Sequence, residues 1–232
     1  MAIRKLVSGT TKAIKRAAIA PTKKPKKSLR PVSKNPNRPQ PGSIIRVEPI
    51  RSLEDIKTIK TLLKDNPRDL VLFTIGINTN LRASDLLAVK AGQVRHLQPN
   101  GHGLCSFTIR EKKTRKVRTV YLNPQCMAVI KDLLASQPFE DDDFLFRGRG
   151  RNSPLTIPTF SQMVKNWCRK IDLRGNYASH TLRKTWGFHQ RVTYGRGLPE
   201  LMVCFNHATQ RQTLRYLGID EDEVQSVFSN IL

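Results

Sequence analysis

The first 43 residues differ so sharply from the rest of the chain that they limit where a folded core can begin. They contain twelve Lys and Arg and no Asp or Glu, and the first acidic residue is Glu48. Six prolines interrupt their second half: Pro21, Pro25, Pro31, Pro36, Pro39 and Pro41. Because proline fixes φ and lacks a backbone donor, regular structure is not expected there. We predict a disordered basic arm over residues 1–43 and one folded domain over 44–232.

From Ile44 onward, apolar residues recur at helical spacing, with one β-prone insertion. Ser52 with Asp55 is typical of a capping box, and Asn66 before Pro67 is typical of a helix start. Two alternating runs joined by a charged segment predict a hairpin, Leu104–Arg110 and Val117–Leu122. Further helices are predicted over 83–91, from 124 to 136, and over 158–171, 180–193, 199–206, 209–217 and 221–231. The predicted fold class is mainly α with a small antiparallel β-sheet (α+β).

The formal net charge of +23 favours polyanions as partners. Nucleic acid is the leading candidate, because each Lys or Arg on a phosphate releases a condensed counterion. Without the twelve charges of the arm, the folded part still carries +11. An anionic membrane surface, or a basic face that contacts only solvent, stays open as an alternative. The longest nearly unbroken apolar run, Leu70–Ile77, is far shorter than the ~20 residues of a membrane span.

The cysteines indicate a reducing compartment. They lie far apart, without a C-x-x-C pair: Cys105, Cys126, Cys168 and Cys204. The N-terminus also lacks the apolar segment of a secretory signal. We therefore predict reduced thiols in a cytoplasmic, nucleoid-associated protein. An organelle transit peptide has a composition similar to that of the arm and stays open as a second interpretation.

No sequence motif for a cofactor is found. There is no Gly-rich loop ending in Lys-Ser/Thr and no H-E-x-x-H. The acidic run Glu140–Asp143 has ligand types that suit a divalent ion, but it precedes the apolar stretch Phe144–Phe146 and is interpreted as a solvated loop. We predict neither a metal nor a cofactor.

Several residues suggest chemistry, although each is a weak indicator by itself. Arg82 has Asp85 three residues later on the same helical face, which predicts an ion pair that fixes the guanidinium. His180 and Arg183 share that spacing near a predicted helix start, an arrangement that suits an anion. Of the other candidates, His207 is typical of a helix end and Tyr216 of half-buried packing. Lys112 and Lys113 are typical of an exposed hairpin tip.

The order of these residues is far more specific than any of them alone. In this order the sequence resembles the tyrosine recombinase (phage integrase) family across essentially the whole predicted domain. Leu81–Leu87 is similar to the first arginine box, and Arg110–Leu122 to the β-hairpin lysine region. His180–Thr185 is similar to the second box, and His207 precedes Tyr216 by nine residues, as in the last pair of the family. The resemblance implies the fold of a tyrosine recombinase catalytic domain that breaks and rejoins DNA.

The resemblance also implies how these residues act on a DNA phosphate. Tyr216 would attack the scissile phosphorus, form a 3′-phosphotyrosine link and free a 5′-hydroxyl. Arg82 and Arg183 would hold the non-bridging oxygens, since a guanidinium fork matches two phosphate oxygens. His207 would hydrogen-bond to the phosphate.

Proton transfer is implied for two further positions. His180 would assist removal of the tyrosine proton, and Lys113, favoured over Lys112, would protonate the departing 5′-oxygen. The phosphotyrosine ester preserves the bond energy, so religation needs neither ATP nor metal.

Other basic residues are predicted to bind DNA without taking part in the chemistry. They are Lys112, Arg115, Lys116 and Lys184 in the folded domain, and Lys23, Lys24, Lys26, Lys27 and Arg30 in the arm. The arm stands where most relatives have a core-binding domain, and we expect it to follow a DNA groove mainly through phosphate contacts.

Two segments depart from the family pattern, and a third segment, the final helix, bears on assembly. Asn80 replaces an expected glycine and can still adopt a left-handed turn, and Phe205-Asn206 replaces a pair of small residues. The final helix, Glu221–Leu232, either packs on its own core or docks on a neighbouring protomer, which would give a homo-oligomer (dimer or tetramer) on DNA.

The leading functional hypothesis is therefore a site-specific recombinase or integrase with double-stranded DNA as its partner and no membrane. Three alternatives remain: a type IB topoisomerase, a non-catalytic DNA-binding protein of the same fold, and a basic RNA-binding or nucleoid-packaging protein.

Overall fold

A computed structural model of the protein describes residues 46–150 and 153–219. The predictions for the basic arm, including its residues Lys23, Lys24, Lys26, Lys27 and Arg30, lie outside the described residues. The same holds for the predicted last helix over 221–231. Within the described ranges the protein is mostly helical with one two-stranded antiparallel sheet, as predicted.

Helices account for most of the described residues, and several begin where a polar side chain caps them. The helices are α1 (Leu53–Leu62), α2 (Pro67–Asn78), α3 (Ala83–Leu86), α4 (Ala91–Arg95), α5 (Pro124–Ser136), α6 (Ile157–Lys170), α7 (Ser179–Val192), α8 (Leu198–Phe205) and α9 (Gln210–Leu217). The side chains of Ser52 and Asn66 accept backbone N–H groups at the starts of α1 and α2, and Asn123 does so for α5. These predicted helix starts are confirmed.

The predicted hairpin is also confirmed, in strands β1 (Cys105–Arg110) and β2 (Val117–Leu122). Its register pairs Phe107 with Val120, and both side chains are buried. The charged segment between the strands, residues 111–116, forms the turn.

The single helix predicted over 83–91 is wrong, because long-range backbone pairing interrupts it. The N–H of Leu145 donates to the carbonyl of Val89 at 2.9 Å, and the N–H of Ala91 donates to that of Asp143 at 2.9 Å. These bonds hold the chain extended between α3 and α4. As a result, Arg82 precedes a helix of one turn.

The acidic run at 140–143 is a loop, as predicted, and three of its four carboxylates are paired with cations. The pairs are Asp141 with Arg95, Asp142 with Lys90, and Asp143 with Arg147. Within residues 46–150 and 153–219 no cluster of His, Cys, Asp or Glu is suited to a metal ion. Over the same ranges, no helix has the length and apolar character needed to cross a bilayer.

Helices α2 and α7 pack closely in the main core. A Cβ on Gly76 would lie 2.5 Å from Cδ1 of Leu182, so only glycine permits this approach. A smaller apolar cluster of Leu201, Phe205 and Leu217 joins α8 and α9. This second cluster sets the position of the last two helices against α7.

The segment that enters the domain, residues 46–52, is hydrogen-bonded along α7. The N–H of Ile50 donates to Oγ1 of Thr185 at 2.8 Å, and Nε2 of His189 lies 3.0 Å from the carbonyl oxygen of Ile50. The N–H of Glu48 donates to the carbonyl of Asn176 at 2.9 Å. This docking brings Arg46 to the edge of the cleft described next.

Candidate active site

The predicted site residues come from four parts of the fold. These are the start of α3, the tip of the β1–β2 hairpin, the first turns of α7, and the junction of α8 with α9. An open cleft of about 690 Å³ lies beside them. Four of the predicted residues line it, namely His180, Lys184, His207 and Tyr216. The fold thus brings these four residues, which span 36 positions of the chain, to one cleft.

Arg183 lies at the base of this site with only 5% of its surface exposed. Its guanidinium lies over the ring of Phe205, 5.0 Å from the centroid, and Nη2 donates to the Phe205 carbonyl at 3.4 Å. Nη1 is buried and has no hydrogen-bond partner among the described residues. A buried cationic N–H group without a partner is costly, and an anionic oxygen would satisfy it.

Arg82 is held by a different partner from the one predicted. The sequence spacing predicts an ion pair with Asp85, but Nη1 of Arg82 lies 2.7 Å from Oε2 of Glu111. Glu111 is buried and belongs to the turn between the strands. The prediction fails because the hairpin folds back onto α3 and brings a carboxylate from 29 residues along the chain.

Asp85 instead fixes the tip of the hairpin. Its Oδ1 accepts the backbone N–H of Lys112 at 2.9 Å, and the carboxylate is almost fully buried. The first arginine box and the lysine region are therefore joined by two buried carboxylates, one from each segment.

The basic residues of the hairpin tip lie at the surface. Lys112, Lys113 and Arg115 are exposed, and Nζ of Lys116 lies 3.4 Å from Oδ1 of Asn206. The charge of Lys113 also acts on His180, because it contributes to lowering the pKa of that imidazole. Of the exposed basic residues of the hairpin tip, Lys113 is thus one whose charge acts on the first turn of α7.

The last predicted pair lies where α8 ends. Asn206 adopts the left-handed conformation with φ 56°, which turns the chain into α9. The ring of His207 stacks on Phe205 at 5.2 Å and meets the ring of Tyr216 edge-on at 5.2 Å. Nδ1 of His207 lies 3.1 Å from Oγ1 of Thr213, which leaves Nε2 for a ligand.

The cations around Tyr216 stabilise its deprotonated form. Burial raises the pKa of Tyr216 above its ordinary value, while the guanidiniums of Arg183 and Arg82 act in the opposite direction. The Lys184 ammonium lies 5.3 Å from the centre of the tyrosine ring. Without DNA, Tyr216 is therefore a neutral phenol that lies beside fixed positive charges.

Both histidines are held in the neutral form. Burial lowers the pKa of His180, and the neighbouring charges of Arg183, Lys184, Arg82 and Lys113 lower it further. Burial also lowers the pKa of His207, followed by the effects of Arg183 and Arg82. At neutral pH each imidazole can therefore accept a proton or a hydrogen bond.

Sequence reasoning missed several residues at this site. Glu111 and Thr213 contact the predicted residues directly, while Arg46, Arg211 and Arg215 line the cleft. A sequence signal existed for two of them, because Arg211 and Arg215 lie four residues apart on the helix predicted to carry Tyr216. The contacts of Glu111 and Arg46 depend on tertiary structure and have no such signal.

Comparison with known proteins identifies the family. The phage integrase family model matches residues 52–223. The chain belongs to the phage integrase family. One relative, "Probable integrase/recombinase YoeC" of Bacillus subtilis, is 32% identical over 185 residues, which make up 78% of this chain and 95% of the relative. The tyrosine recombinase XerC of Caldanaerobacter subterraneus is 26% identical over 204 residues, 84% of this chain and 54% of the relative.

Solved structures show the fold of this phage integrase family member. The XerH site-specific recombinase, bound to palindromic difH substrate in a post-cleavage complex, superposes with a TM-score of 0.63 at 20% identity over 82% of this chain and 55% of that chain. The XerA recombinase superposes with a TM-score of 0.61 at 17% identity over 80% of this chain and 66% of that chain. The predicted catalytic-domain fold is confirmed. The chain spans only about half the length of XerC and XerH.

Proposed function

We propose that this phage integrase family member is a site-specific DNA recombinase or integrase that works through a 3′-phosphotyrosine formed by Tyr216. The observation that carries the proposal is the cleft that Tyr216 shares with His180 and His207, where the guanidiniums of Arg183 and Arg82 act on the phenol. The recombinase names of its relatives, and the DNA substrate bound to XerH, support the same reading.

Binding of the scissile phosphate follows from the fixed cations. Arg183 presents a buried N–H group that has no partner among the described residues, and Arg82 adds a second guanidinium. His207, with Nδ1 engaged by Thr213, offers Nε2 to a phosphate oxygen. Preorganised donors of this kind stabilise the charge that develops on a transferring phosphoryl group.

Attack and departure then require two proton transfers. The phenol oxygen of Tyr216 forms a bond to phosphorus as the bond to the 5′-oxygen breaks, and its proton passes to neutral His180. The ammonium of Lys113 gives a proton to the departing 5′-oxygen. Religation reverses both transfers, because the 5′-hydroxyl attacks the phosphotyrosine ester.

Double-stranded DNA is the proposed partner, and Lys112, Arg115, Lys116 and Lys184 supply phosphate contacts beside the site. The arm residues Lys23, Lys24, Lys26, Lys27 and Arg30 are proposed to add sequence-independent contacts. Because recombination joins two duplexes, we propose that several protomers assemble on DNA. This chemistry takes place at cellular DNA, so we also propose a cytoplasmic, nucleoid-associated protein.

Nicked suicide DNA substrates test the proposal. When the short fragment downstream of the cut diffuses away, a protein–DNA adduct should accumulate with the full chain and should be absent with Tyr216→Phe. Lack of an adduct on DNA that the protein demonstrably binds, or an adduct that survives Tyr216→Phe, would refute the mechanism. Relaxation of supercoiled plasmid without paired sites would instead indicate a type IB topoisomerase.

A further inference from the structure

Glu111 is a buried carboxylate that the proposed chemistry does not use. Its side chain is only 7% exposed and joins the hairpin turn that carries Lys113 to Arg82 at the start of α3. Oε2 lies 2.7 Å from Nη1 of Arg82 and accepts the hydroxyl of Thr114 at 2.5 Å, while Oε1 lies 3.5 Å from Nη1 of Arg118. Both carboxylate oxygens are therefore engaged.

These contacts keep the carboxylate ionised in spite of its burial. Burial alone would raise the pKa of Glu111, but the hydrogen bond from Thr114 and the guanidiniums of Arg82 and Arg118 outweigh it, and the net pKa is lowered. A charge buried in this way fixes the geometry of its partners, because any displacement leaves it unpaired.

The backbone of Glu111 also closes the turn that carries Lys113. Its N–H donates to the carbonyl of Lys116 at 2.9 Å, and its carbonyl accepts the N–H of Arg115 at 2.9 Å. With Thr114 bound to the carboxylate, the three residues that follow Lys113 are all hydrogen-bonded to Glu111, which itself stands two residues before the lysine. The position of the lysine thus depends on the residue that also holds Arg82.

Charge alone does not explain a carboxylate here. A negative group next to Arg82 weakens the attraction of the site for a phosphate, since like charges repel. Glu111 must therefore contribute by fixing the geometry of the site rather than by increasing its affinity for DNA.

We propose that Glu111 is a positioning residue that holds the turn carrying Lys113 and the Arg82 guanidinium in a fixed relation at the scissile phosphate. This inference rests on the proposed function, since it assigns Glu111 a task in that same reaction.

The test compares variants of the full chain on two suicide substrates. One has an ordinary 5′-oxygen leaving group, and the other has a 5′-bridging sulfur, which departs as a thiolate and needs no general acid. The variants are Glu111→Gln, which removes the charge, and Thr114→Val, which removes the hydroxyl that binds Glu111 and the N–H of Lys116 but keeps the pair of Glu111 with Arg82. Glu54→Gln is the matched control, because Glu54 is 75% exposed and pairs only with Lys57 at the surface.

On the oxygen substrate we expect Glu111→Gln to form the adduct about 10²-fold more slowly, with DNA affinity equal to or above that of the wild type. The sulfur substrate should restore much of that rate, because it needs no proton from Lys113. The part of the rate that it does not restore is the loss caused by the displaced guanidinium of Arg82. Thr114→Val should show a smaller defect that sulfur removes completely, and Glu54→Gln should match the wild type on both substrates.

Several results would overturn the inference while leaving the proposed function intact. These are a wild-type adduct rate in Glu111→Gln, an equal loss on both substrates, or a cleavage loss that follows lost DNA affinity. If Glu111→Gln does not fold, as measured by circular dichroism, a full wild-type rate in Thr114→Val on the oxygen substrate is the refuting result. A wild-type protein without any adduct would overturn both proposals together.

Discussion

The Nδ1 atom of His207 lies 3.1 Å from the hydroxyl oxygen of Thr213, which stands three residues before Tyr216 on α9. One helix therefore fixes both the orientation of the imidazole and the position of the phenol. Thr213 is fully buried, so water does not compete for this hydrogen bond.

Replacing Thr213 with valine keeps the shape of the side chain and removes the hydroxyl. We expect adduct formation on a suicide substrate to slow about tenfold, because the His207 ring loses its orientation, while DNA affinity stays within about twofold. The stability cost should be about 1–2 kcal/mol, because the hydroxyl takes part in two hydrogen bonds, with His207 and with the carbonyl of Thr209. Thr119→Val, on the exposed face of β2, is the control. Unchanged cleavage by Thr213→Val would mean that packing on Phe205 alone orients the ring.

Arg183→Lys separates the charge of Arg183 from its geometry. A lysine keeps the positive charge but cannot present a planar fork to two phosphate oxygens. We expect the adduct rate to fall by about 10²–10³-fold, the range seen when one oxyanion donor is lost, with little change in DNA affinity. Single-turnover cleavage and equilibrium binding, measured at the same salt concentration, check this.

The control for that substitution is Arg174→Lys, in an exposed loop, which should cleave at the wild-type rate. If Arg183→Lys lost binding and cleavage in equal proportion, Arg183 would be a residue of affinity or folding rather than of the reaction.

Local sequence signals predicted the helix starts well. A cap depends on the polar residue and the next turn, so Ser52 and Asn66 could be recognised without tertiary information. The order of the site residues predicted the family for the same reason, since each box is a short local motif. Predictions that rested on one segment were thus the most reliable.

Predictions that depended on contacts between segments were less successful. Asp85 was predicted to pair with Arg82 from helical spacing, but a strand turn supplies Glu111 instead. Asn80 can adopt a left-handed turn in place of the glycine of the family, but its φ is not positive, and its amide donates to the carbonyl of Cys204. Left-handed residues at the site are Arg115 in the hairpin turn and Asn206, where α8 ends before His207.

Gly187 offers a test of how closely α9 must pack on α7. A Cβ at this position would lie 2.5 Å from Cδ2 of Leu217 and 2.5 Å from Cζ of Phe205. We expect Gly187→Ala to lower the free energy of unfolding by about 1–3 kcal/mol, as overpacked cores do. It should also slow cleavage beyond the loss of folded protein, because the displaced helix carries Tyr216.

Denaturant unfolding and single-turnover cleavage of the same samples check both parts. Gly101→Ala is the control, because a Cβ there meets no atom within 4 Å. A variant with wild-type stability would show that Phe205 and Leu217 can move aside without cost.

The stability of the protein should fall between about pH 7.5 and 5.5, above the range in which carboxylates titrate. His189 contributes to this fall: burial lowers its pKa, although the hydrogen bond with the carbonyl of Ile50 raises it in part. Because the folded pKa lies below the unfolded value of 6.5, the unfolded chain takes up the proton first as the pH decreases. The stabilisation by neutral His189 is thus complete above the unfolded pKa and is lost as the pH falls toward the folded pKa. His180 and His207 act with the same sign, since their pKa values are lowered too.

His189→Gln should therefore show a smaller decrease in the free energy of unfolding over this pH range than the wild type. Denaturant unfolding at several pH values measures the decrease, and His102→Gln, in an exposed turn, should keep the wild-type slope. An identical slope in His189→Gln would mean that the hydrogen bonds of His189 to Ile50 and Thr193 persist when the ring is protonated. In that case the segment 46–52 would stay docked on α7 throughout the range, and the pH dependence would belong to the two cleft histidines alone.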